Sequence, residues 1–318
     1  MKAKLIFSMI AMSAVSLTAA AEDFSWGNVI FQPRVYAGYA NYTLESGDMT
    51  VTPDGRASVT KPLQFALPDH SEIKISGPLG GLGATVASGR FFGDIYYQST
   101  LNETAYSSEQ ITQPDNNEAY YGDVDAQHSD WALSLGYRFA DQWSLFAGYK
   151  SGNTDWNQPF RIDRPAPDSR TVQDGNFSVK FDQDGPFVGT SYSFLIGPGV
   201  LTLKAAYAYL NGTYTSDFNS VCRPPNTSCP NAPSPVLQQF NWGGNSNAFS
   251  VGASWTQAMT DNLGLSIGAN YHWYKFDTDG TQSFDNYIGG ERVGGGSFEG
   301  GNLTEKLFTL TASLLYTF

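Results

Sequence analysis

Two short pairs of acidic and histidine side chains are the residues of this sequence best suited to chemistry. The first pair is His128 and Asp130, and the second is Asp277 and Asp279. Residues two apart in an extended strand point to the same face, so each pair presents two polar groups side by side. A histidine beside a carboxylate can act as a general base that activates water. His128 and Asp130 are therefore candidate catalytic residues.

The sequence has no motif that matches other catalytic chemistry or a cofactor site. The sequence has no Gly-x-Ser-x-Gly elbow, and no cluster of His, Cys and Asp has zinc spacing. Segment 182–185 lacks the full ligand series of a calcium loop. The glycines at 289–290 and 294–296 are not followed by a helix that could bind phosphate. We predict no metal and no cofactor, and the sequence favours a protein that is not an enzyme.

The elements that would position these residues are β-strands. Apolar residues recur with a period of two, which indicates strands rather than helices. Ten such segments are separated by turn residues, and we predict strands at 29–44, 73–87, 91–101, 128–139, 143–152, 177–195, 200–213, 248–259, 263–276 and 307–318. The second is rich in glycine.

The last strand carries the most specific signal. Phe318, Tyr316 and Leu314 lie on one wholly apolar face, and the alternate residues are mostly small and polar. This pattern resembles the C-terminal strand of Gram-negative outer-membrane β-barrels. The resemblance implies that the terminal Phe318, with Tyr316 two residues before it, is the recognition signal for the insertion machinery.

Short and long connections alternate along the chain. Four tight turns, at 88–90, 140–142, 197–199 and 260–262, alternate with five long connections. This asymmetry is typical of outer-membrane barrels, which have short periplasmic turns and long extracellular loops. We predict an all-β fold: a transmembrane, antiparallel, up-and-down β-barrel of ten strands. Further hairpins in the first long loop would raise the number to twelve.

The N-terminus predicts export. Two lysines, Lys2 and Lys4, precede a short apolar run that ends in Ala19-Ala20-Ala21. These are the parts of a secretory signal peptide. We therefore predict a signal peptide at 1–21, a single barrel domain at 22–318, and a place in the outer membrane of a Gram-negative bacterium.

Composition agrees with that location. After removal of the signal peptide, 16 basic and 30 acidic residues leave a formal charge of −14. Nucleic acid is excluded as a partner, because its recognition needs basic surfaces. Aromatic residues make up 14%, and there are 33 glycines, as expected of an outer-membrane barrel with aromatic girdles and a polar lumen. The expected partners are outer-membrane lipid and lipopolysaccharide, the barrel-assembly machinery and periplasmic chaperones, and the protein is expected to be a monomer.

Charged residues on the inward faces predict a filled lumen. Arg34, Asp94, Arg138, Lys150 and Lys204 alternate with the apolar positions. The interior of a barrel of eight strands is just wide enough for side chains to fill, and ten strands are only slightly wider. We therefore predict a charge network that fills the lumen and leaves at most a narrow passage. A small-solute channel lined by Lys150, Lys204 and Arg138 is the alternative.

Two features of the long loops also carry predictions. Cys222 and Cys229 are the two cysteines of the chain, and after export they are expected to form a local disulfide. The loop at 102–127 has six acidic residues and no Lys or Arg. It is expected to be a solvated, divalent-binding surface beside lipopolysaccharide phosphates. A site that selects cationic ligands is the alternative.

A ten-stranded barrel with long outer loops resembles the omptin proteases in gross plan. The resemblance implies an Asp pair and an Asp–His pair across an extracellular cleft. His128 and Asp130 would be the His–Asp pair at the extracellular rim, because alternation from Trp131 turns both inward. Asp277 and Asp279 lie five strands further on, but they share the outward parity of the aromatic residues that precede them. The two pairs also come in the opposite chain order.

These observations lead to three hypotheses. The leading one is an outer-membrane barrel with acidic extracellular loops, a surface-binding or structural role and at most a narrow pore. The first alternative is an omptin-like surface protease or hydrolase that uses His128 and Asp130. The second is a small-solute channel.

Overall fold

The structure, a computed structural model, consists almost entirely of long antiparallel strands. It describes residues 29–53, 72–101, 103–105, 110–112, 118–121, 124–164, 171–223, 234–278, 281–288 and 291–318. No helix in these ranges is long and apolar enough to cross a bilayer.

Fourteen strands occur in the described part of the chain. They are β1 Val29–Pro53, β2 Glu72–Ser88, β3 Phe91–Thr100, β4 Glu103–Ala105, β5 Gln110–Thr112, β6 Glu118–Tyr121, β7 Val124–Arg138, β8 Trp143–Arg164, β9 Thr171–Ile196, β10 Gly199–Arg223, β11 Ser234–Ala258, β12 Leu263–Thr278, β13 Thr281–Ile288 and β14 Glu291–Tyr316.

Ten of these strands close into an antiparallel barrel. Each strand of the barrel pairs with the strands on either side of it, in the order β1, β2, β3, β7, β8, β9, β10, β11, β12 and β14. The first strand pairs with the last, with Val35 opposite Leu314, so the sheet has no open edge in the barrel wall. Closure satisfies every strand edge, which a bilayer requires of a spanning sheet. The predicted ten-stranded transmembrane barrel is confirmed.

Four short turns lie at one end of the barrel, together with both termini of the described chain. We call this end the turn end and the other the projecting end. Gly89 and Gly197 occupy their turns with positive φ values of 56° and 58°. Such values cost glycine nothing and strain other residues. These are the turns that the sequence predicted at 88–90 and 197–199.

Outward side chains near the turn end form an apolar band. On β8 the outward residues Trp143, Leu145 and Tyr149 are exposed. The other barrel strands present residues of the same kind, among them Val35, Tyr39, Ile95, Tyr97, Leu133, Leu203, Val251, Ile267, Leu310 and Tyr316. An exposed belt of this extent would be unstable in water. It matches the apolar band with aromatic edges that a membrane barrel presents to lipid.

Above this band the sense of the alternation reverses. On β10, Tyr207 and Tyr209 point outward within the band, whereas further along the outward residues are Asn211, Thr213 and Thr215. Their inward neighbours become apolar instead of polar. In lipid the outer face must be apolar, whereas in water the apolar residues must turn inside. The strands therefore continue beyond the membrane as a barrel of the ordinary soluble kind.

The inward residues beyond the reversal form one buried cluster, which we call the luminal apolar core. It contains Ala40, Tyr42, Leu44, Ile75, Leu79, Val124, Ala126, Val179, Phe181, Ala208, Leu210, Tyr214, Ala248, Tyr274, Phe276, Leu303 and Leu307. Phe181 and Phe276 meet edge to face with ring centroids 5.0 Å apart, a favoured aromatic geometry. This core fills the lumen towards the projecting end.

The strand extensions correct the predicted loops. The predicted strands ended at 152 and 213, but β8 and β10 run to Arg164 and Arg223. Much of each predicted long connection is thus paired strand. The additional strand β13 pairs with β11 and β14 and takes the place of β12 in the wall where β12 ends. Of the short strands, β4 pairs with β7. Strands β5 and β6 pair with each other, and β6 also pairs with β8.

Candidate functional site

A polar cluster lies inside the lumen where the alternation reverses. His128 and Asp130 on β7 both point inward, and His128 Nε2 lies 3.6 Å from Asp130 Oδ2. Gln98 Nε2 donates a hydrogen bond of 2.7 Å to the same carboxylate oxygen. At 3.6 Å the His–Asp contact is too long for a hydrogen bond. Gln98 therefore orients the carboxylate of Asp130.

The imidazole of His128 is held by two other side chains. Its Nδ1 lies 2.8 Å from Thr154 Oγ1 on β8, and Thr154 Oγ1 donates to Tyr42 OH over 2.9 Å. The Tyr42 ring stacks on the imidazole with centroids 4.5 Å apart. These contacts fix the ring from its edge and its face, so His128 has little freedom to rotate.

Two further polar contacts join opposite walls of the barrel. Gln183 Nε2 on β9 donates to Glu305 Oε1 on β14 over 2.8 Å. Lys150 Nζ on β8 donates to Tyr274 OH on β12 over 2.6 Å and lies 4.6 Å from the centroid of that ring. Buried polar groups need such partners to offset their desolvation. The bonds tie strands together across the lumen.

The structure places the predicted catalytic pair inside the barrel and not at the extracellular rim. His128 is 1% exposed and Asp130 is 2% exposed. The luminal apolar core lies between them and the projecting end. A polypeptide substrate would have to displace that core to reach His128 Nε2.

Asp277 of the second acidic pair points outward, as its parity predicted. Asp277 is exposed on the outer face of β12, and its Oδ1 lies 3.7 Å from Lys275 Nζ. Asp279 lies outside the described residues. Asp277 does not meet the His128–Asp130 pair across a cleft, since it lies outside the barrel and that pair lies inside it. Within the described ranges, no group of three or more His, Cys, Asp and Glu residues is placed to hold a metal ion.

Four of the five predicted lumen charges line one cavity. Arg34 and Asp94 form a bidentate pair, with both nitrogen–oxygen distances 2.8 Å. Lys150 and Lys204 line the same cavity, which has a volume of about 170 Å³. Arg138 does not belong to this group. It is the last residue of β7, at the turn end, and its amide donates to Arg90 O over 2.8 Å.

The remaining predicted sites are described only in part. Cys222 is near the end of β10, and Cys229 lies outside the described residues, so the disulfide stays a prediction. Phe318 stacks on Phe31 with centroids 5.9 Å apart, and its amide donates to Phe31 O over 3.1 Å. The terminal residue thus packs on the strand that closes the barrel. Three of the six acidic residues in the loop at 102–127 fall within the described ranges.

Several residues of the polar cluster were missed at the sequence level. Tyr42, Thr154 and Gln183 hold His128 and Glu305 in place but belong to no motif. The sequence signal for these residues was the period-two alternation, which places them on the inward face of their strands. Thr154 lies beyond the residue at which the sequence ended β8, so the shortened strand concealed it.

Comparison with known proteins supports the fold. No family model and no curated protein sequence matches the chain. Among solved structures, the outer membrane protease OmpT from Escherichia coli is similar with a TM-score of 0.56 and 11% identity, covering 95% of this chain and 100% of that one. At this identity the likeness is one of fold.

Two other solved barrels match less well. A Pseudomonas aeruginosa FadL homologue has a TM-score of 0.33 and 12% identity, covering 90% of both chains. The Ralstonia pickettii toluene transporter TbuX has a TM-score of 0.34 and 11% identity, covering 91% of this chain and 89% of that one. These scores are too low to carry an argument. The closed ten-stranded sheet and its likeness to OmpT give the chain the architecture of a bacterial outer-membrane barrel.

Proposed function

We propose that this chain is a monomeric outer-membrane β-barrel with a surface-binding or structural role and no wide pore. A signal peptide at 1–21 directs export from the cytoplasm of a Gram-negative bacterium. The barrel-assembly machinery and periplasmic chaperones insert the barrel with its turn end in the periplasm. The projecting strands then stand outside the cell beside lipopolysaccharide.

The observation that carries this proposal is the filled lumen. Phe181, Leu210 and Phe276 are buried in the luminal apolar core, and beneath it lies a cluster of hydrogen-bonded polar side chains. A diffusion channel needs a continuous wet path, and a packed apolar layer excludes water. The polar outer face of the projecting strands is then the part that is available to partners.

Planar-bilayer recording tests this role. The purified full chain should insert without producing stable conductance steps. The double variant Phe181→Ala with Phe276→Ala removes two rings from the core and should produce a salt-dependent current. Open-state conductance from the unaltered protein would instead support the small-solute channel.

Surface display tests the orientation. An epitope inserted between β8 and β9, at 165–170, should be stained by antibody on intact cells. The same epitope inserted in the turn between β7 and β8, at 140–142, should be stained only after the outer membrane is permeabilised. The reverse staining would overturn the proposed orientation.

A hydrolase is the second candidate function. The His128–Asp130 pair, in a barrel similar in fold to OmpT, is the observation that favours it. The burial of both side chains weighs against it in this conformation. Peptide cleavage by outer-membrane preparations that is lost in His128→Ala would support the hydrolase, and absence of cleavage would remove it.

A further inference from the structure

The luminal cavity of about 170 Å³ is separate from the proposed surface role and has two different walls. One wall is aromatic and belongs to β3, β8 and β9. The other, the polar wall, mixes polar side chains with alanines and belongs mainly to β10, β11 and β12, with Arg34, Asp94 and Lys150 added from β1, β3 and β8. A pocket with an apolar body and a few convergent polar groups is the usual form of a small-molecule site.

Three phenylalanines form the aromatic wall, and glycines on neighbouring strands make room for them. A Cβ added to any of these glycines would lie within 2.6 Å of a ring atom. The rings therefore rest against the barrel wall instead of filling the lumen. The pairs are Phe92 over Gly136, Phe146 over Gly189 and Phe187 over Gly148.

The polar wall carries a cation with no acceptor. Arg34 is paired with Asp94, and Lys150 is hydrogen-bonded to Tyr274. Lys204 lines the same cavity and lies within range of the charges of Asp94 and Arg34, but it has no hydrogen bond and no ion pair within 4 Å among the described residues. Of the three cations in the lining, Arg34 is balanced by Asp94, and Lys150 by the neighbouring carboxylates Asp130 and Glu305, which leaves Lys204. The cavity therefore favours an anion.

We propose that this cavity binds a small carboxylate that carries one aromatic ring or an apolar group of similar size. The carboxylate pairs with Lys204, and the apolar group packs against Phe92, Phe146 and Phe187. The size fits, because a cavity of about 150 Å³ is enough to hold benzene. A charged group in such a site needs a partner of opposite charge, and Lys204 supplies it.

The ligand enters from the turn end. The luminal apolar core closes the projecting side of the cavity. Towards the turn end most of the buried inward side chains are short hydroxyls, including Ser144, Ser254 and Ser266, and the larger ones are Gln32 and Leu315. Small polar side chains leave more room than the core and offer hydrogen bonds to a passing carboxylate.

Calorimetric titration of the full chain in detergent micelles with benzoate tests the site, with benzyl alcohol as an uncharged probe of similar size. Lys204→Met keeps an apolar stem of similar length but removes the charge. It should weaken benzoate binding by about tenfold or more, as expected for loss of a charge-assisted hydrogen bond, and leave benzyl alcohol unaffected. Lys180→Met, at an exposed lysine on the outer face, is the matched control and should bind both probes as the unaltered protein does.

A second variant tests the cavity independently of the charge. Ala206→Leu places three more carbons in the lining and keeps Lys204, so it should abolish binding of both probes. A folded band in the unheated gel sample, which shifts only after heating, shows that each variant has assembled. Equal benzoate affinity in Lys204→Met and the unaltered protein, or no benzoate binding at millimolar concentration, would overturn the proposal.

Discussion

Removal of the counter-charge from the buried arginine should destabilise the barrel more than loss of an exposed pair. The Arg34 side chain is 1% exposed, and that of Asp94 is 23% exposed. Asp94 accepts two hydrogen bonds from Arg34, and a third of 2.5 Å from Thr85. In Asp94→Asn the guanidinium keeps its burial and loses its partner charge.

The structure sets the size of this effect. Breaking a buried ion pair by removing one partner costs about 3–5 kcal/mol. Since Asp94 is partly open to the cavity, we expect about 3 kcal/mol, the lower end of that range. The double variant Arg34→Met with Asp94→Asn removes the unpaired cation as well and should recover most of the loss. The coupling energy between the two positions should then exceed about 2 kcal/mol.

An exposed pair in the same barrel provides the control. Lys306 Nζ lies 2.6 Å from Glu45 Oε1, with side-chain exposures of 36% and 37%. Glu45→Gln should cost less than about 1 kcal/mol, because solvent screens such a pair. Urea unfolding in lipid vesicles, followed by tryptophan fluorescence, gives both free energies of unfolding. An Asp94→Asn cost no larger than that of Glu45→Gln would refute the assignment of a buried ion pair between Arg34 and Asp94.

Three further outcomes are expected. Deletion of Phe318 should lower the assembled fraction in the outer membrane several-fold, as measured by heat-modifiable gel mobility, whereas normal assembly would contradict its role as a signal. Reduction followed by alkylation should add two labels to the exported protein, at Cys222 and Cys229, and alkylation without reduction should add none if they are bonded. Gly136→Ala should destabilise the barrel by about 1–3 kcal/mol, since its Cβ would lie 2.0 Å from Phe92 Cζ; an unchanged urea midpoint would count against that packing.

The membrane-spanning half of the fold was predictable because one physical rule governs it. Lipid outside and polar groups inside produce a fixed alternation, and the last strand sets its sense. Trp131, Leu133 and Leu135 were correctly turned outward, and His128 and Asp130 inward. The turn at Gly197 was recognisable because it needs a residue that tolerates positive φ.

The projecting half was predicted less well because the rule changes there. On β1 the outward apolar residues stop at Tyr39, and Tyr42 and Leu44 are apolar on the inward face. An alternation of fixed sense loses its outward apolar residues at that reversal, and the predicted strand ended a few residues beyond it, at 44. The strands were therefore cut short, and the residues beyond the cut were assigned to loops.

The candidate site was likewise predicted in part. The inward direction of His128 and Asp130 was correct, but their depth depends on the core above them. That core consists of extension residues such as Phe181 and Phe276, which come together only when the strands continue past the membrane. The His128–Asp130 pair, predicted at an accessible rim, is therefore covered by the luminal apolar core.

Spin-label accessibility along β10 tests the central claim, which is that the outer face meets lipid while the lumen is closed. Labels are placed at Leu203, Tyr207 and Leu210 in a variant without the two native cysteines, reconstituted in vesicles. Leu203 and Tyr207 are exposed and Leu210 is 0% exposed. Oxygen should relax the first two labels strongly, and a water-soluble nickel chelate should not reach Leu210. Strong relaxation at Leu210 by the chelate would show a wet lumen and contradict the account.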